Sequence, residues 1–303
     1  MYHNPVMLAQ SVDGLNIQPN GIYVDVTFGG GGHSKAILER LENGRLIAFD
    51  QDSDALQNVI NDPRFTFIHQ NFKYLKNFLR LHNASKIDGL IADLGVSSHQ
   101  FDIPERGFST RFNGELDARM DIRNERTAAS IINNYALLEL TRVFRLYGEL
   151  KNAFSLSKRI VESRDSSPIN SIEELKSCLL SLAPRNRENK FFAQVFQALR
   201  IEVNEELEAL QILLKQTSEV LKPGGRLVVL SYHSLEDRLV KNFIKAGNFE
   251  GEVEKDFYGN IRSPFKSISR KPIIASDDEV EINSRARSAK LRIAEKTDET
   301  SYE

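Results

Sequence analysis

The sequence predicts an α/β fold in which a parallel sheet carries a block of helices inserted partway along the chain. Two observations carry this expectation. Through the first third, short apolar runs alternate with helical patterns, as the strands and crossover helices of a buried parallel sheet do. The alternation stops after Asp93 and resumes at Leu221-Lys222-Pro223-Gly224-Gly225, where a proline and two glycines end one helix and turn the chain into another strand.

Taken in order, the candidate strands are residues 22–28, 45–49, 65–68 and 87–93. Between the first two, residues 34–41 gather Ala36, Ile37, Leu38 and Leu41 on one side of a helix, which completes a β-α-β unit. Residues 128–147, 150–164, 171–182 and 191–221 then show helical periodicity, separated by turn-rich stretches such as Asp165-Ser166-Ser167-Pro168 and Pro184-Arg185-Asn186. A fifth strand is expected over 226–231, a helix over 235–246 and a last strand over 286–294, where Ala289, Leu291 and Ile293 alternate with polar residues. The chain so read divides into a core of residues 1–102 and 206–303 and a helical insertion of residues 103–205.

Composition limits the function classes. Of 303 residues, 41% are apolar and 27% charged, and no run approaches the ~18 apolar residues of a membrane span. The first residues form neither a basic nor an apolar leader region, so a cytoplasmic location is expected. The one cysteine, Cys178, lies in a helical pattern and can build neither an internal disulfide nor a cysteine-rich metal site. A net charge of -2 argues against a uniformly basic nucleic-acid coat but leaves room for a local basic surface. Residues 297–303 read as an acidic tail.

The most informative segment is Asp25-Val26-Thr27-Phe28-Gly29-Gly30-Gly31-Gly32-His33-Ser34, a strand that runs through four glycines into a helix. Such a junction turns tightly and admits a ligand where Cβ atoms would intrude. A triphosphate loop is disfavoured, because Lys35 follows Ser34 and precedes Ala36 instead of standing in a G-K-[S/T] sequence. A dinucleotide fingerprint needs a third glycine at Ser34 or at Lys35, depending on register, and fails in both, which leaves NAD as the second choice. S-adenosylmethionine, with an amino-acid moiety and a sulfonium in place of a pyrophosphate, suits the loop better, with Asp25 as a nearby carboxylate. Asp50 lies 19 positions beyond Gly31, a spacing at which a carboxylate accepts hydrogen bonds from both ribose hydroxyls of either cofactor. After the third strand, Phe72 is placed to stack on adenine or, equally, to fill the core.

The fourth strand ends in Ala92-Asp93-Leu94-Gly95-Val96-Ser97-Ser98-His99-Gln100, at the carboxyl edge where open α/β sheets hold their ligands. Asp93 is the acid expected to face a transferred group, and it is the candidate catalytic residue. Methyl transfer from a sulfonium asks mainly for alignment and a hydrogen-bond acceptor. His33 in the glycine loop is a functional candidate, whereas His69 reads as a core residue. The remaining histidines form no H-E-x-x-H spacing, so no metal site is expected. Ser97 and Ser98 lack the G-x-S-x-G context of an esterase nucleophile.

Taken together, these segments resemble the bacterial ribosomal RNA small subunit methyltransferase H family. The matching stretches are Asn4-Pro5-Val6-Met7-Leu8, the glycine loop from Asp25 to Ser34, Asp93-Leu94-Gly95-Val96-Ser97-Ser98, Glu105-Arg106-Gly107-Phe108-Ser109, Phe196-Gln197-Ala198-Leu199-Arg200-Ile201, Ser231-Tyr232-His233-Ser234-Leu235-Glu236-Asp237-Arg238 and Arg285-Ala286-Arg287-Ser288-Ala289-Lys290-Leu291-Arg292. The resemblance implies a class I, Rossmann-like S-adenosylmethionine-dependent methyltransferase sheet with a helical substrate-recognition insertion between strands 4 and 5. It implies N4 methylation of a cytidine in the decoding region of 16S ribosomal RNA, and S-adenosyl-L-methionine contacts at Gly31, Gly32, His33, Asp50, Phe72, Asp93 and Gln100. Two departures stand out: His99 replaces the family's usual proline, and Leu150 its usual second glutamate.

A cytosine amine inside a duplex is out of reach, so the implied substrate base is unpaired or flipped. Candidate phosphate contacts are Arg106, Arg111, Arg119, Arg123, Arg126, Lys158 and Arg159 in the insertion and Lys266, Arg270, Lys271, Arg285, Arg287 and Lys290 near the end. The implied partner is 16S rRNA, within the assembled or assembling small ribosomal subunit, with no membrane role and with a homodimer left open. A nicotinamide oxidoreductase and a non-catalytic RNA-binding or assembly factor on a relict fold are the rival readings.

Overall fold

The computed structural model describes residues 5–255, 257, 259 and 262–298, with Ser98 by its backbone alone. Asn4 of the first matching stretch and the tail beyond residue 298 lie outside the described residues.

Seven strands, β1 (Ile22–Asp25), β2 (Arg45–Asp50), β3 (Phe65–His69), β4 (Ile87–Asp93), β5 (Leu221–Ser231), β6 (Phe265–Ser267) and β7 (Lys290–Lys296), form one sheet in the order β3-β2-β1-β4-β5-β7-β6. The first five run parallel, and β7 is antiparallel to both of its neighbours. In chain order, α1 (Leu8–Gly14), α2 (Gly32–Leu38) and α3 (Leu75–Leu81) accompany the first four strands. Between β4 and β5 come α4 (Ser98–Asp102), α5 (Ala128–Asn134), α6 (Leu137–Leu146), α7 (Ala153–Arg164), α8 (Ile172–Leu179), α9 (Glu188–Asn204) and α10 (Glu206–Val220). The chain continues through α11 (Ser234–Ala246) and α12 (Asp277–Ile282).

The unbroken apolar runs of the central strands follow from burial on both faces. Val24, Ile47, Leu90 and Val229 point to one side and pack with Leu75 and Leu79 of α3, Leu213 and Leu214 of α10, and Val240 and Phe243 of α11. Their neighbours Tyr23, Leu46, Ile91 and Val228 face the other side, against Val12 of α1, Ile37 of α2, and Leu291 and Ile293 of β7. Each fully buried aliphatic side chain contributes about 1.5–3 kcal/mol. No helix among the described residues is long and apolar enough to cross a membrane.

The chain forms two compact units, Met1–Gly95 with Leu207–Glu303, and Val96–Glu206. The second unit has its own core, which includes Phe144, Leu156, Val195 and Leu199.

Several expected elements differ in extent, each for a local reason. β1 ends at Asp25 because the ladder thins there to single backbone bonds, from the Val26 amide to the Ile91 carbonyl and from the Phe28 amide to the Phe49 carbonyl. The helix expected over 128–147 breaks at Tyr135 and Ala136, whose backbone is extended, and Glu139 caps the new start by accepting the Ala136 amide hydrogen at 2.8 Å. The helix expected over 191–221 breaks at Glu205, which has a left-handed φ of 52°. β5 begins already at Leu221, and Lys222-Pro223-Gly224-Gly225 bulge out of it, so that Ile87 pairs with Leu221 and Gly89 with Arg226. β6 has no counterpart among the expected strands: three residues containing Lys266 and Ser267 give no apolar run, and pairing with β7 at the sheet edge makes the strand.

Candidate active site

The glycine loop is shaped from below. The Gly31 amide donates to the Phe28 carbonyl at 2.7 Å, and Gly31 takes a φ of 76° as the cap of α2, a backbone state that costs other residues strain. Gly32 is required by contact, because a Cβ there would lie 2.1 Å from Cγ of Pro5. Asp25 is 1% exposed and accepts hydrogen bonds from the Thr27 amide at 3.0 Å and the Ser34 hydroxyl at 2.7 Å. Burial pushes its pKa up, with the neighbouring His33 opposing. The carboxylate expected beside a sulfonium is therefore a brace inside the loop.

Asp50 ends β2, and among the described residues each of its carboxylate oxygens is engaged once. Oδ2 accepts the Gly29 amide hydrogen at 2.7 Å, and Oδ1 accepts that of Asp52 at 2.9 Å. Burial raises its pKa to about 6 against the pull of those two amides. Each carboxylate oxygen keeps a second acceptor position, a pair that matches a vicinal diol. From the other side, the Asn58 side-chain amide donates to the Gly29 carbonyl at 2.9 Å.

The chain after β3 is tied to the same place. Asn71 Nδ2 donates to Gln51 Oε1 at 2.7 Å, and His69 Nε2 lies 3.1 Å from the Gln51 carbonyl, which satisfies that histidine structurally. Phe72 follows in a short 3-10 turn, partly buried against the sheet face that carries Val24.

At the tip of β4, the Asp93 amide donates to the Thr27 hydroxyl at 2.7 Å. Asp93 Oδ1 accepts the Tyr232 hydroxyl hydrogen at 2.6 Å, and Oδ2 lies 3.8 Å from His33 Nδ1. Burial raises the Asp93 pKa, while His33 and the Tyr232 hydrogen bond pull it down. His33 is 5% exposed, and its Nε2 has no hydrogen-bond partner among the described residues. Sequence alone gives Tyr232 no role, although it falls one residue past the end of β5, beside the strand tip that carries Asp93.

The structure thus brings Gly31, Gly32, His33, Asp50 and Asp93 to the carboxyl ends of β1, β2 and β4, with Phe72 on the segment after β3. Gln100 belongs to the second unit, where it is 4% exposed and closes a capping box at α4. Its Oε1 accepts the Ser97 amide hydrogen at 2.9 Å, and its own amide donates to Ser97 Oγ at 3.1 Å. The turn forms without the proline that His99 replaces.

Most of the expected phosphate-binding arginines of the insertion are engaged internally. Arg119 forms a two-point pair with Asp117 and also donates to the Ile122 and Asn124 carbonyls; Arg123 pairs with Asp121, and Arg126 with Glu205. Lys158 pairs with Glu162, and Lys290 with Asp237. Lys266, Arg270 and Lys271 are exposed and form no ion pair among the described residues.

An adenosyl ligand fits this donor and acceptor set: a glycine loop that carries no side chain from Gly29 to Gly32, a diol-matching carboxylate at Asp50, and a buried ring nitrogen on His33 with no hydrogen-bond partner among the described residues. The sheet order, the loop after β1 and the acid after β2 together define a class I S-adenosylmethionine-dependent methyltransferase. More narrowly, a model of the MraW methylase family matches residues 1–297, and the chain belongs to that family. It is 60% identical over 296 residues to the ribosomal RNA small subunit methyltransferase H of Flavobacterium johnsoniae, across 97% of this chain and 98% of that one. The enzymes of the same name from Parabacteroides distasonis and Cytophaga hutchinsonii are each 58% identical, the first across 97% of both chains and the second across 98% of this chain and 100% of its own.

Proposed function

We propose that the protein transfers a methyl group from S-adenosyl-L-methionine to the exocyclic N4 amine of a cytidine in the decoding region of 16S ribosomal RNA. The observation that carries this reading is the pair of acids at the tips of β2 and β4, the two strands that flank β1: Asp50, with two acceptor positions left for a ribose, and Asp93, with its carboxylate held between Tyr232 and His33. Relatives at 58–60% identity named for ribosomal RNA support the substrate class.

The bound cofactor supplies a methyl carbon activated by a positively charged sulfur. The protein supplies alignment. Gly31 and Gly32 give it a backbone surface, His33 Nε2 a polar contact, Asp50 the ribose acceptors and Phe72 a face for adenine; Gln100 completes the set that the family resemblance implies. The Asp93 carboxylate would accept an N–H of the target amine, which orients the nitrogen lone pair for attack, and would take up the proton released when the N–C bond forms and the methyl–sulfur bond breaks, S-adenosylhomocysteine being the leaving group. The cytidine is flipped out of its stack. The helical insertion over 103–205 recognises RNA shape, and in the core of residues 1–102 and 206–303 the exposed Lys266, Arg270 and Lys271 contact phosphates. The reaction takes place in the cytoplasm, on the small subunit.

The test is transfer of a labelled methyl group to isolated small subunits and to naked 16S rRNA. Wild-type protein labels the RNA and Asp93→Ala protein does not; an unlabelled RNA with both substrates rejects the reading.

A further inference from the structure

We infer that Tyr232 is a positioning residue for methyl transfer, fixing Asp93 through Oδ1 so that Oδ2 is presented to the target amine; this rests on the function proposed above. Tyr232 is held at both ends. Its amide donates to Glu236 Oε2 at 2.9 Å, where Glu236 closes the first turn of α11, and its hydroxyl donates to Asp93 Oδ1 at 2.6 Å. Gly95, with a left-handed φ of 92°, passes beside the ring, where a Cβ would make ordinary contact with Tyr232 Cδ2 at 3.5 Å. The phenol thus crosses from the tip of β5 to the tip of β4 as a short rigid strut.

The two carboxylate oxygens of Asp93 are thereby made different. The aspartate amide is fixed by the Thr27 hydroxyl, and one oxygen by the phenol, so rotation about the side chain is stopped with Oδ2 on the His33 side. Without the phenol the carboxylate can turn, and the acceptor is no longer held in line with the methyl carbon. The charged or titratable groups that face Asp93 are His33 from α2, Asp25 from β1, and Tyr232 and Glu236 from the β5–α11 corner. Burial and the adjacent Asp93 charge keep the Tyr232 phenol protonated far above its ordinary range, so it remains a donor throughout.

Tyr232→Phe keeps the ring and removes only the donor. It is expected to lower kcat about 10- to 100-fold, the usual range for losing a hydrogen bond to a charged group. KM for S-adenosylmethionine and S-adenosylhomocysteine affinity stay within about twofold, and the acid limb of kcat/KM moves to higher pH. In an Asp93→Asn background, Tyr232→Phe adds no further loss, because the phenol acts through the carboxylate. Carbon-detected titration of the Asp93 carboxyl, which needs no activity, shows a higher pKa in Tyr232→Phe than in wild type. An unchanged kcat, an unmoved Asp93 titration, or a full additional loss on top of Asp93→Asn overturns the inference. An inactive wild-type protein defeats the functional reading instead, and the carboxyl titration then still decides whether Tyr232 holds Asp93.

Discussion

The Asp50 carboxylate receives the Gly29 amide hydrogen at 2.7 Å, so the acid at the tip of β2 is built into the loop that leaves β1. Its other oxygen steadies the Asp52 amide at 2.9 Å. One side chain therefore ties the loop to the strand tip and, in the proposed function, offers its remaining acceptors to the cofactor's ribose, which would couple cofactor recognition to loop shape.

That coupling makes the two simplest substitutions unequal. Asp50→Ala removes the ribose acceptors and the loop anchor together and is expected to weaken S-adenosylhomocysteine binding by about 100-fold or more. Asp50→Asn keeps one acceptor oxygen but turns an N–H toward a backbone donor, with an expected loss of about 10-fold or more. Isothermal titration of both variants checks the order; affinities within twofold of wild type would place the ribose elsewhere.

The same residue gives a pH signature. Burial holds the Asp50 pKa at about 6, above its ordinary 3.8. The ionised form accepts hydroxyl hydrogens, so ligand affinity is full well above pH 6 and falls about tenfold per unit below it. For the free protein the sign is opposite: a raised folded-state pKa gives a contribution to stability that is present below about 4 and lost as pH rises through about 6. The thermal shift produced by S-adenosylhomocysteine should shrink on acidification in wild type and become flatter in Asp50→Asn. An equally steep profile in both proteins would assign the titration to another group.

Gly32 answers to a steric test. A Cβ at this position would lie 2.1 Å from Pro5 Cγ and 3.0 Å from its Cδ. Gly32→Ala is expected to lose about 1–3 kcal/mol in denaturant unfolding, the range for overpacking, and adding Pro5→Ala should return most of it. If the double variant is no more stable than the single one, the clash with Pro5 is not the constraint.

Charge reversal separates RNA-binding cations from internal pairs. Replacing Lys266, Arg270 and Lys271 by glutamate should weaken binding to small-subunit RNA and lower the slope of log K against log salt by about 0.7–0.9 for each phosphate that is no longer neutralised, with cofactor affinity unchanged. Arg119→Ala, which breaks the pairing to Asp117, should lower stability and leave that slope in place. A slope unchanged in the triple variant would move the RNA surface away from β6.

The parallel core was readable in the sequence because burial on both faces forces unbroken apolar runs, and the strand over 87–93 matches β4 residue for residue. The glycine loop and Asp50 were readable because the constraint is local: four adjacent glycines, then an acid at a fixed distance. Helix breaks at Tyr135 and Glu205 were not, since neither glycine nor proline marks them and tertiary packing sets the backbone there. Asp25 looked like a ligand-facing acid because spacing reports proximity and not direction; its hydrogen bonds to Thr27 and Ser34 turn it inward. The tie between Asp93 and Tyr232 joins residues 139 positions apart, a distance at which no periodicity carries a signal.

The most direct measurement is mass analysis of nucleosides from small subunits incubated with the protein and methyl-labelled S-adenosylmethionine. The expected product is labelled N4-methylcytidine, absent with Asp93→Ala; label on a ring carbon or a ribose hydroxyl would contradict the proposed reaction.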